Sequence, residues 1–358
     1  MQETIVVIGG GIIGLSAAWK LAQNGHEVVV LEKGKCGSGS TGASLGALMP
    51  YNPWREEEMP NNQRKSLWSY ASFAKDLVEI SGVDIGFSRI GRLQIAQDQR
   101  QYDRLSGGVA IANEKWPTFN GKPAQQMLTP AEIKKIEPEV NAGEFGALYC
   151  HATAIFEPIR MVAALRAACM RHGVDIREES PVIEIVTEND EITAVRSATG
   201  IIKTNKVIMA AGAWSGNIIP EKYRQEAYVV PVKGQALELS MNKQPLKRLI
   251  RGLGVYLMPL PNKKIWLGAT KEPNLGFNTE TTLEAEEMLI RKGEALMPAL
   301  AKAKIIKQWA NVRPHSKQGG PILGWDKNLK GLYHATGHGG IGLCFAPYTA
   351  NKIMEDFS

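Results

Sequence analysis

The chain has 358 residues, of which 44% are hydrophobic and 22% charged, a composition typical of a globular protein of about two domains. Its formal net charge of +6 is spread thinly, which favours solvated faces and argues against a nucleic-acid partner. Its four cysteines lack C-x-x-C spacing, which argues against a disulfide framework or a zinc site and fits a reducing compartment.

The sequence contains no uninterrupted apolar run of about eighteen residues, the length needed to span a bilayer. A strand-like run begins at Ile5, so we expect no removable signal peptide. These features predict a cytoplasmic protein without a transmembrane segment. Peripheral attachment at the inner membrane and assembly into a homo-oligomer both stay open.

The first predicted element is a buried strand over Ile5–Ile8 that runs into a glycine-rich turn. Gly9, Gly11 and Gly14 match G-x-G-x-x-G. In this pattern the first glycine permits the turn, the second admits a pyrophosphate, and the third lets the next helix pack on the strand. A helix that ends near Gly25 then presents its N-terminus to the phosphates.

A second strand over residues 27–31 places Glu32 at its tip, where a carboxylate would accept a hydrogen bond from a ribose hydroxyl. Strand, turn, helix, strand and acid thus follow in order and predict a dinucleotide site. The carboxylate disfavours the extra phosphate of NADP, whereas NAD and FAD both carry the ribose that it could bind.

The middle of the chain predicts a core-facing helix followed by several strands. The helix covers residues 158–172 and ends at Gly173. The strands are expected to return to the first sheet, and they cover residues 174–177, 182–186, 192–197 and 207–211.

A different type of domain is predicted next, because four prolines punctuate apolar–polar alternation over residues 235–239 and 264–270. This alternation is typical of an antiparallel sheet. A helix over Leu283–Leu296 follows, and a second glycine loop within residues 334–347 indicates a return to the nucleotide domain.

Several segments together resemble the glycine oxidase and D-amino acid oxidase family of FAD-dependent enzymes. Besides the N-terminal fingerprint, they are STGASLGAL at 40–48, SGVDI at 81–85, AAGAWS at 210–215, PVKG at 231–234, WANVRP at 309–314 and HATGHGGIGLCFAP at 334–347. The resemblance runs nearly from end to end, and the order of the segments makes it specific.

The resemblance implies an α/β plus antiparallel β fold. A discontinuous Rossmann-like FAD-binding domain would comprise residues 1–83, 151–225 and 307–358. A mostly antiparallel substrate-binding domain would comprise residues 84–150 and 226–306, and the flavin ring would lie between the two.

The resemblance also implies the residues that hold FAD. The expected cofactor-binding residues are Gly9, Gly11, Ile12, Ile13, Gly14, Glu32, Lys33, Ser40, Thr41, Gly46, Ala47, Leu48, Val182, Ala211, Gly212, Trp214, Gly337, His338, Gly339, Gly340, Ile341 and Gly342. Among them, Val182 would present its backbone to the adenine, and the last glycine loop would place N–H groups near the flavin C2 carbonyl. No cysteine occupies a recognised attachment position, so we expect FAD to be bound non-covalently.

On the substrate side, Tyr256 and Arg313 match positions that hold the substrate carboxylate in the family, and both are the predicted catalytic residues. A guanidinium suits this group because it donates two parallel hydrogen bonds. Met49 and Tyr51 are expected to contact the substrate from an entrance loop. Glycine stands at 339 and 340, which is closer to D-amino acid oxidases than to glycine oxidases and leaves the choice of amino acid open.

The implied reaction is oxidative deamination of glycine, sarcosine or a D-amino acid. Hydride passes from the carbon bearing the amine to flavin N5, and water hydrolyses the imine to a 2-oxo acid. The expected electron acceptor is O2. Two alternatives stay open, namely a dehydrogenase that passes electrons to a quinone or protein acceptor, and a non-catalytic flavoprotein partner.

The two histidines near the C-terminal glycine loop raise the question of a base or a metal site. His334 and His338 have i, i+4 spacing, but Gly337, Gly339 and Gly340 make a helix between them unfavourable. We therefore interpret His338 as a structural loop residue and expect no metal.

Overall fold

The computed structural model describes residues 3–224 and 228–358. Its α-helices are α1 (Ile12–Gln23), α2 (Glu58–Ser81), α3 (Gln99–Lys115), α4 (Pro130–Ile136), α5 (Pro158–Arg171), α6 (Ser215–Ile218), α7 (Leu283–Leu296) and α8 (Gly342–Phe357). Short 3-10 turns cover Gly212–Trp214, Glu221–Tyr223, Pro298–Lys302 and Gly339–Ile341. In the described part of the chain, no helix is both long and apolar enough to cross a membrane.

The strands fall into two main sheets and two smaller ones. They are β1 (Ile5–Ile8), β2 (Val28–Leu31), β3 (Ala47–Leu48), β4 (Arg92–Ile95), β5 (Gln125–Leu128), β6 (Ala147–Cys150), β7 (Ala154–Ile155), β8 (Asp175–Arg177), β9 (Val182–Glu188), β10 (Glu191–Ser197), β11 (Gly200–Lys203), β12 (Lys206–Met209), β13 (Val229–Ser240), β14 (Leu249–Gly252), β15 (Val255–Leu260), β16 (Lys264–Gly268), β17 (Lys304–Ser316), β18 (Ile322–Trp325) and β19 (Leu332–Thr336).

The first sheet is six-stranded, in the order β18-β19-β12-β1-β2-β8. β1 lies parallel to both β2 and β12, and all four of its residues are buried, as their β-branched character predicts. Helices α1, α5 and α8 pack together with the sheet in one apolar core. The predicted strand–turn–helix–strand unit is confirmed.

The prediction that residues 182–186 and 192–197 return to the first sheet is wrong. These residues belong to β9 and β10, which form a separate antiparallel sheet with β11. This small sheet packs one side against the first sheet, where Ile185 and Val195 meet Val6 and Val29. The alternating burial along β10 reflects its single covered face.

The second main sheet has eight strands, in the order β17-β13-β16-β15-β14-β4-β6-β5. Its pairs are antiparallel except for β14 with β4. One face packs its leucines against Leu289 and Leu296 of α7. The opposite face is turned towards the first sheet, and β17 carries Arg313 on it.

The predicted domain division stays a prediction, although two of its boundaries can be placed on the chain. The boundary between 306 and 307 falls within β17, which pairs with β13 on both sides of that point. The boundary between 225 and 226 lies outside the described residues.

Replacement of Gly14 by alanine should destabilise the fold. A Cβ at Gly14 would lie 2.0 Å from the carbonyl oxygen of Gly9, so α1 would have to move away from the turn. We expect the free energy of unfolding to fall by about 1–3 kcal/mol, the usual cost of overpacking. Denaturant unfolding of the purified protein measures it.

The matched control is Gly107→Ala, at an exposed position within α3 where a Cβ would meet no atom within 4 Å. Because alanine favours helix, this change should raise the free energy of unfolding by up to about 1 kcal/mol. Equal effects at the two positions would contradict the packing role of Gly14.

Candidate cofactor and substrate site

The glycine turn after β1 is shaped by close backbone packing. Gly9 has φ +115, and a Cβ on it would lie 2.4 Å from the carbonyl oxygen of Ala210. Only glycine fits there. The turn delivers the N-terminus of α1, where Ile12 N–H donates to Thr41 Oγ1 at 3.1 Å. The neighbouring helix-terminal N–H groups and the positive end of the helix dipole suit an anionic group.

Glu32 follows β2 directly and lies beside this turn. Its carboxylate accepts hydrogen bonds from Gly10 N–H at 2.7 Å and Gly34 N–H at 3.0 Å. These two bonds fix the carboxylate, and a carboxylate has lone pairs left for a ligand hydroxyl. The Glu32 side chain therefore stabilises the conformation of the turn and also offers a hydrogen-bond acceptor to a ligand.

A stacked aromatic group borders the same region. The Lys33 ammonium lies 3.3 Å from the centroid of the Trp214 ring. Trp214 in turn stacks on Phe277, with ring centroids 5.2 Å apart. Burial lowers the pKa of Lys33, whereas the Glu32 carboxylate acts to raise it. Sequence reasoning missed Phe277, because its contact with Trp214 comes from a distant loop without a motif.

A cavity of about 420 Å³, measured as the space open to the centre of a water molecule, joins the glycine turn to the second sheet. Most of the predicted site residues line it. They are Gly9, Gly11, Ile12, Ile13, Glu32, Lys33, Ser40, Thr41, Gly46, Ala47, Val182, Ala211, Gly212, Trp214, Tyr256, Arg313, His338, Gly339, Gly340 and Gly342.

Six predicted residues lie outside the lining of this cavity: Gly14, Leu48, Met49, Tyr51, Gly337 and Ile341. Leu48 is buried in β3. Met49 and Tyr51 are tied together by Gln63, which donates to the Met49 carbonyl at 2.8 Å and accepts from Tyr51 N–H at 3.0 Å. Their assignment to the substrate stays a prediction.

Arg313 enters the cavity from β17 without an acidic partner within hydrogen-bond distance among the described residues. Its Nη1 donates to the carbonyl oxygens of Thr270 at 3.0 Å and Lys233 at 3.4 Å. Burial lowers its pKa, while Tyr256 and Glu272 act to raise it. An arginine remains charged under these conditions. Its positive charge is thus held by neutral carbonyls and remains available to an anion.

Gly234 leaves the space that Arg313 occupies. A Cβ at Gly234 would lie 2.4 Å from both terminal nitrogens of the Arg313 guanidinium. The two residues lie on adjacent strands, β13 and β17. Any side chain at position 234 would therefore displace the guanidinium.

Tyr256 lies on β15 and faces the same cavity. Burial raises its pKa to about 12, and the nearby Arg313 acts in the opposite direction. At neutral pH the phenol therefore keeps its proton and can donate a hydrogen bond. A phenol donor beside a guanidinium forms a suitable pair for a carboxylate.

Thr336 links the segment around Gly212 to the glycine loop before α8, two segments that the sequence predicts to contact the cofactor. Its hydroxyl donates to the carbonyl oxygen of Gly212 at 3.1 Å and lies 3.0 Å from Ser215 Oγ. After it, Gly339–Ile341 forms a 3-10 turn that leads into α8. The loop thereby presents backbone rather than side chains to the cavity.

His338 is buried in this loop, 3% exposed, with Nε2 at 3.1 Å from Thr349 Oγ1. Burial lowers its pKa to about 3, so the ring is neutral at neutral pH. His334 has different partners, with Nε2 2.7 Å from Asp326 and Nδ1 2.8 Å from Tyr228. Over residues 3–224 and 228–358, no group of three or more His, Cys, Asp or Glu side chains could hold a metal.

Comparison with known proteins places these observations in a family. A family model described as "DAO: FAD dependent oxidoreductase" matches residues 4–355. A glycine oxidase of Pseudomonas aeruginosa is 30% identical over 359 residues, which cover 99% of this chain and 94% of that protein.

Solved structures are similar over the same length. A glycine oxidase from Bacillus cereus has a TM-score of 0.89 and 28% identity, and the match covers 99% of this chain and 94% of that one. An L-proline dehydrogenase from P. horikoshii has a TM-score of 0.88 and 26% identity, with coverage of 100% and 93%.

The residues present fit FAD. The close-packed glycine turn, the N-terminus of α1 at the wall of the cavity and the anchored Glu32 carboxylate suit a pyrophosphate and a ribose. The cavity continues from there to the face of the second sheet, as a long dinucleotide requires.

The Glu32→Gln substitution tests the ribose assignment. It keeps the shape of the side chain but removes the charge, so the hydrogen bond to the ligand weakens. We expect FAD binding to weaken by about 1.5–3 kcal/mol, the scale of a hydrogen bond to a charged group. Fluorescence titration of apoprotein with FAD measures it. Glu27→Gln, just before β2 and paired with Thr4, is the control, and equal affinities of wild type and Glu32→Gln would reject the assignment.

The buried neutral His338 should make stability depend on pH. Below about pH 6.5 this histidine takes up a proton in the unfolded chain. In the folded chain it takes up the proton only near its lowered pKa of about 3. Stability therefore falls as the pH drops through this window. Between pH 7.5 and 5 the wild type should lose about 2 kcal/mol more than His338→Gln. Urea unfolding at both pH values measures the difference, with His26→Gln as control. Equal losses of stability in the wild type and in His338→Gln would contradict the prediction.

Proposed function

The chain belongs to the family of FAD-dependent oxidoreductases, and from that premise we propose that it oxidises the carbon–nitrogen bond of a small amino acid. Candidate substrates are glycine, sarcosine and D-amino acids. The observation that carries the proposal is the Arg313 guanidinium, which faces the cavity beside the protonated Tyr256 and, among the described residues, has carbonyl oxygens as its only hydrogen-bond partners.

In this proposal Arg313 and Tyr256 bind the substrate carboxylate. The guanidinium donates two hydrogen bonds, and the phenol donates a third while retaining its proton. Holding the carboxylate fixes the α-carbon, and fixed orientation contributes several kcal/mol to such reactions, about 7 or more in favourable cases. The main contribution of these residues is therefore position.

The bound FAD supplies the hydride acceptor. The α-carbon gives up hydride, the amine nitrogen gives up one proton, and the resulting imine adds water to yield the 2-oxo acid and ammonia, or methylamine when the substrate is sarcosine. His338 is a poor base because its ring is buried and its pKa is lowered to about 3. We propose that the amine enters in its neutral form, in which case the reaction needs no side-chain base.

The loop before α8 stabilises the negative charge that accumulates in the site. Gly339, Gly340 and Gly342 line the cavity, and α8 begins at Gly342. A helix N-terminus favours negative charge near its first turn. Backbone donors fixed in this way cost no reorganisation during the reaction.

We propose non-covalent attachment of FAD. Cys344, the cysteine beside the glycine loop, is buried in α8. Burial raises its pKa to about 11, so at neutral pH it is a thiol rather than the more nucleophilic thiolate.

Two electron acceptors accord with the similar structures. O2 is the proposed acceptor, because both the curated relative and one similar structure are named glycine oxidases. A dehydrogenase that uses a quinone or protein acceptor is the alternative, because a comparably similar structure is named an L-proline dehydrogenase. Oxygen consumption against dye reduction with the same substrate distinguishes the two.

The Arg313→Leu substitution tests the proposal. If Arg313 binds the carboxylate, the variant loses a desolvated ion pair worth about 2–5 kcal/mol. The value of kcat/KM for the best amino acid should then fall by roughly 30-fold to several thousand-fold. Stopped-flow measurement of anaerobic flavin reduction gives the rates, and the FAD content of the variant should remain that of the wild type.

The control compares each amino acid with its decarboxylated amine, for example glycine with methylamine. The amine should be a poor substrate of the wild type and should lose little further in Arg313→Leu. Arg196→Leu, at an exposed position in β10, controls for the loss of one positive charge. Equal losses for amino acid and amine would reject Arg313 as the carboxylate ligand, and no flavin reduction by any amino acid would reject the proposed function.

A further inference from the structure

The face of the second sheet that carries Tyr256 continues across two further strands. Tyr256 of β15 lies opposite Arg251 of β14, and Arg251 lies opposite Gln94 of β4. Arg92 precedes Gln94 by two residues. Side chains two apart on a strand share a face, so Arg92, Gln94, Arg251 and Tyr256 all point to the same side. Diagonal neighbours in a sheet lie about 7–8 Å apart, within reach of long side chains.

Arg92 is buried in this row, with 1% of its surface exposed. Neither its Nε nor its Nη1 has a hydrogen-bond partner, and the buried Oε1 of Gln94 has none either, within the described residues. A buried charge without a partner costs several kcal/mol. Native proteins pair such groups, so unpaired donors and an unpaired acceptor side by side point to a missing ligand.

Arg251 adds a second positive charge instead of a counter-charge. Burial lowers the pKa of Arg92; the nearby Cys150 acts to raise it, and the positive charge of Arg251 acts to lower it. Burial of part of the side chain also lowers the pKa of Arg251, although the residue as a whole is exposed to solvent. Arg251 lies one strand beyond Tyr256, outside the lining of the cavity described above. The Tyr256 phenol acts on the pKa values of both Arg251 and Arg313, so an arginine lies on either side of it.

We propose that the substrate pocket extends past Tyr256 into an anionic subsite formed by Arg92, Gln94 and Arg251, which binds a second carboxylate of the substrate. The favoured substrate is then an amino acid with an acidic side chain. This inference rests on the proposed function for the position of the first carboxylate on Arg313. The second carboxylate pairs the buried guanidinium of Arg92 and offsets its repulsion with Arg251.

The subsite is tested by isosteric pairs that differ in one charge. Aspartate and glutamate of both configurations are compared with asparagine and glutamine in anaerobic flavin reduction. For the wild type, kcat/KM for the acid should exceed that for the amide by about 10- to 100-fold, the range of charge-assisted hydrogen bonds. In Arg251→Gln the ratio should fall towards one. Arg104→Gln, at an exposed position of α3, removes the same charge and should keep the ratio.

Arg92→Met supplies a second, independent measurement. Because it removes a buried charge that has no partner, this variant should unfold at a higher temperature than the wild type in the absence of ligand. A purely structural arginine would give the opposite result. A lower unfolding temperature in Arg92→Met would therefore contradict the unpaired state on which the subsite depends.

A binding experiment separates the subsite from turnover. Succinate and its monoamide, succinamate, are titrated into the holoenzyme, and perturbation of the flavin spectrum reports binding. Succinate should bind the wild type about 10-fold or more tightly than succinamate, and Arg251→Gln should bind both alike. Equal affinities in the wild type would overturn the subsite. A preference for succinate without flavin reduction by any amino acid would uphold the subsite and reject the proposed function.

Discussion

The strand β17 is hydrogen-bonded to the cofactor loop that precedes β3, and the geometry of the whole site depends on this contact. Ser40 Oγ donates to the Val312 carbonyl at 2.6 Å, and Trp309 Nε1 donates to the Ala43 carbonyl at 2.9 Å. Both partners in the loop line the cofactor cavity, and Arg313 follows Val312 directly. The cofactor loop and the arginine are therefore positioned by one set of bonds. Because small misplacements cost large factors in rate, loss of these two hydrogen bonds should disturb the proposed site even where both apolar cores stay intact.

The second constraint is electrostatic. Arg313 is held by carbonyl dipoles, and the nearby Glu272 is already engaged by Thr270 and Gln235. The charge of Arg313 is thus desolvated without being neutralised. It therefore attracts a carboxylate into the cavity and repels an ammonium group. A neutral amine and a bound carboxylate are what the proposed oxidation needs, so burial of the guanidinium selects the reactive ionisation state of the substrate.

The sequence predicted best those parts of the fold whose residues are contiguous. The strand–turn–helix–strand unit from Ile5 to Glu32 could be predicted directly. The spacing of its apolar residues, the spacing of its glycines and the acidic residue all lie within one continuous segment. The sheet of β9 and β10 was assigned wrongly, since alternating burial does not say which sheet a strand joins. Arg251 on β14 and Arg92 on β4 were also missed. Their proximity to Tyr256 arises from the pairing of β15, β14 and β4, and β4 lies far from the other two strands in the sequence.

The motif around Arg313 shows the same limit at a single residue. WANVRP identified the arginine through the family resemblance, and PVKG was another segment of that resemblance, but no rule of sequence connects the two. The connection is steric, since the guanidinium lies where a Cβ of Gly234 would be. Only the register of β13 against β17 reveals it.

That shared space means that the position of the proposed carboxylate-binding group depends on the neighbouring strand β13 as well as on β17. A methyl group at position 234 would already overlap the Arg313 guanidinium, and a larger side chain would displace it further. The size of the side chain at position 234 therefore determines where the Arg313 guanidinium can lie. In a laboratory evolution experiment, substitutions of Gly234 should therefore change where a bound carboxylate is held, while the pairing of β13 with β17 stays intact.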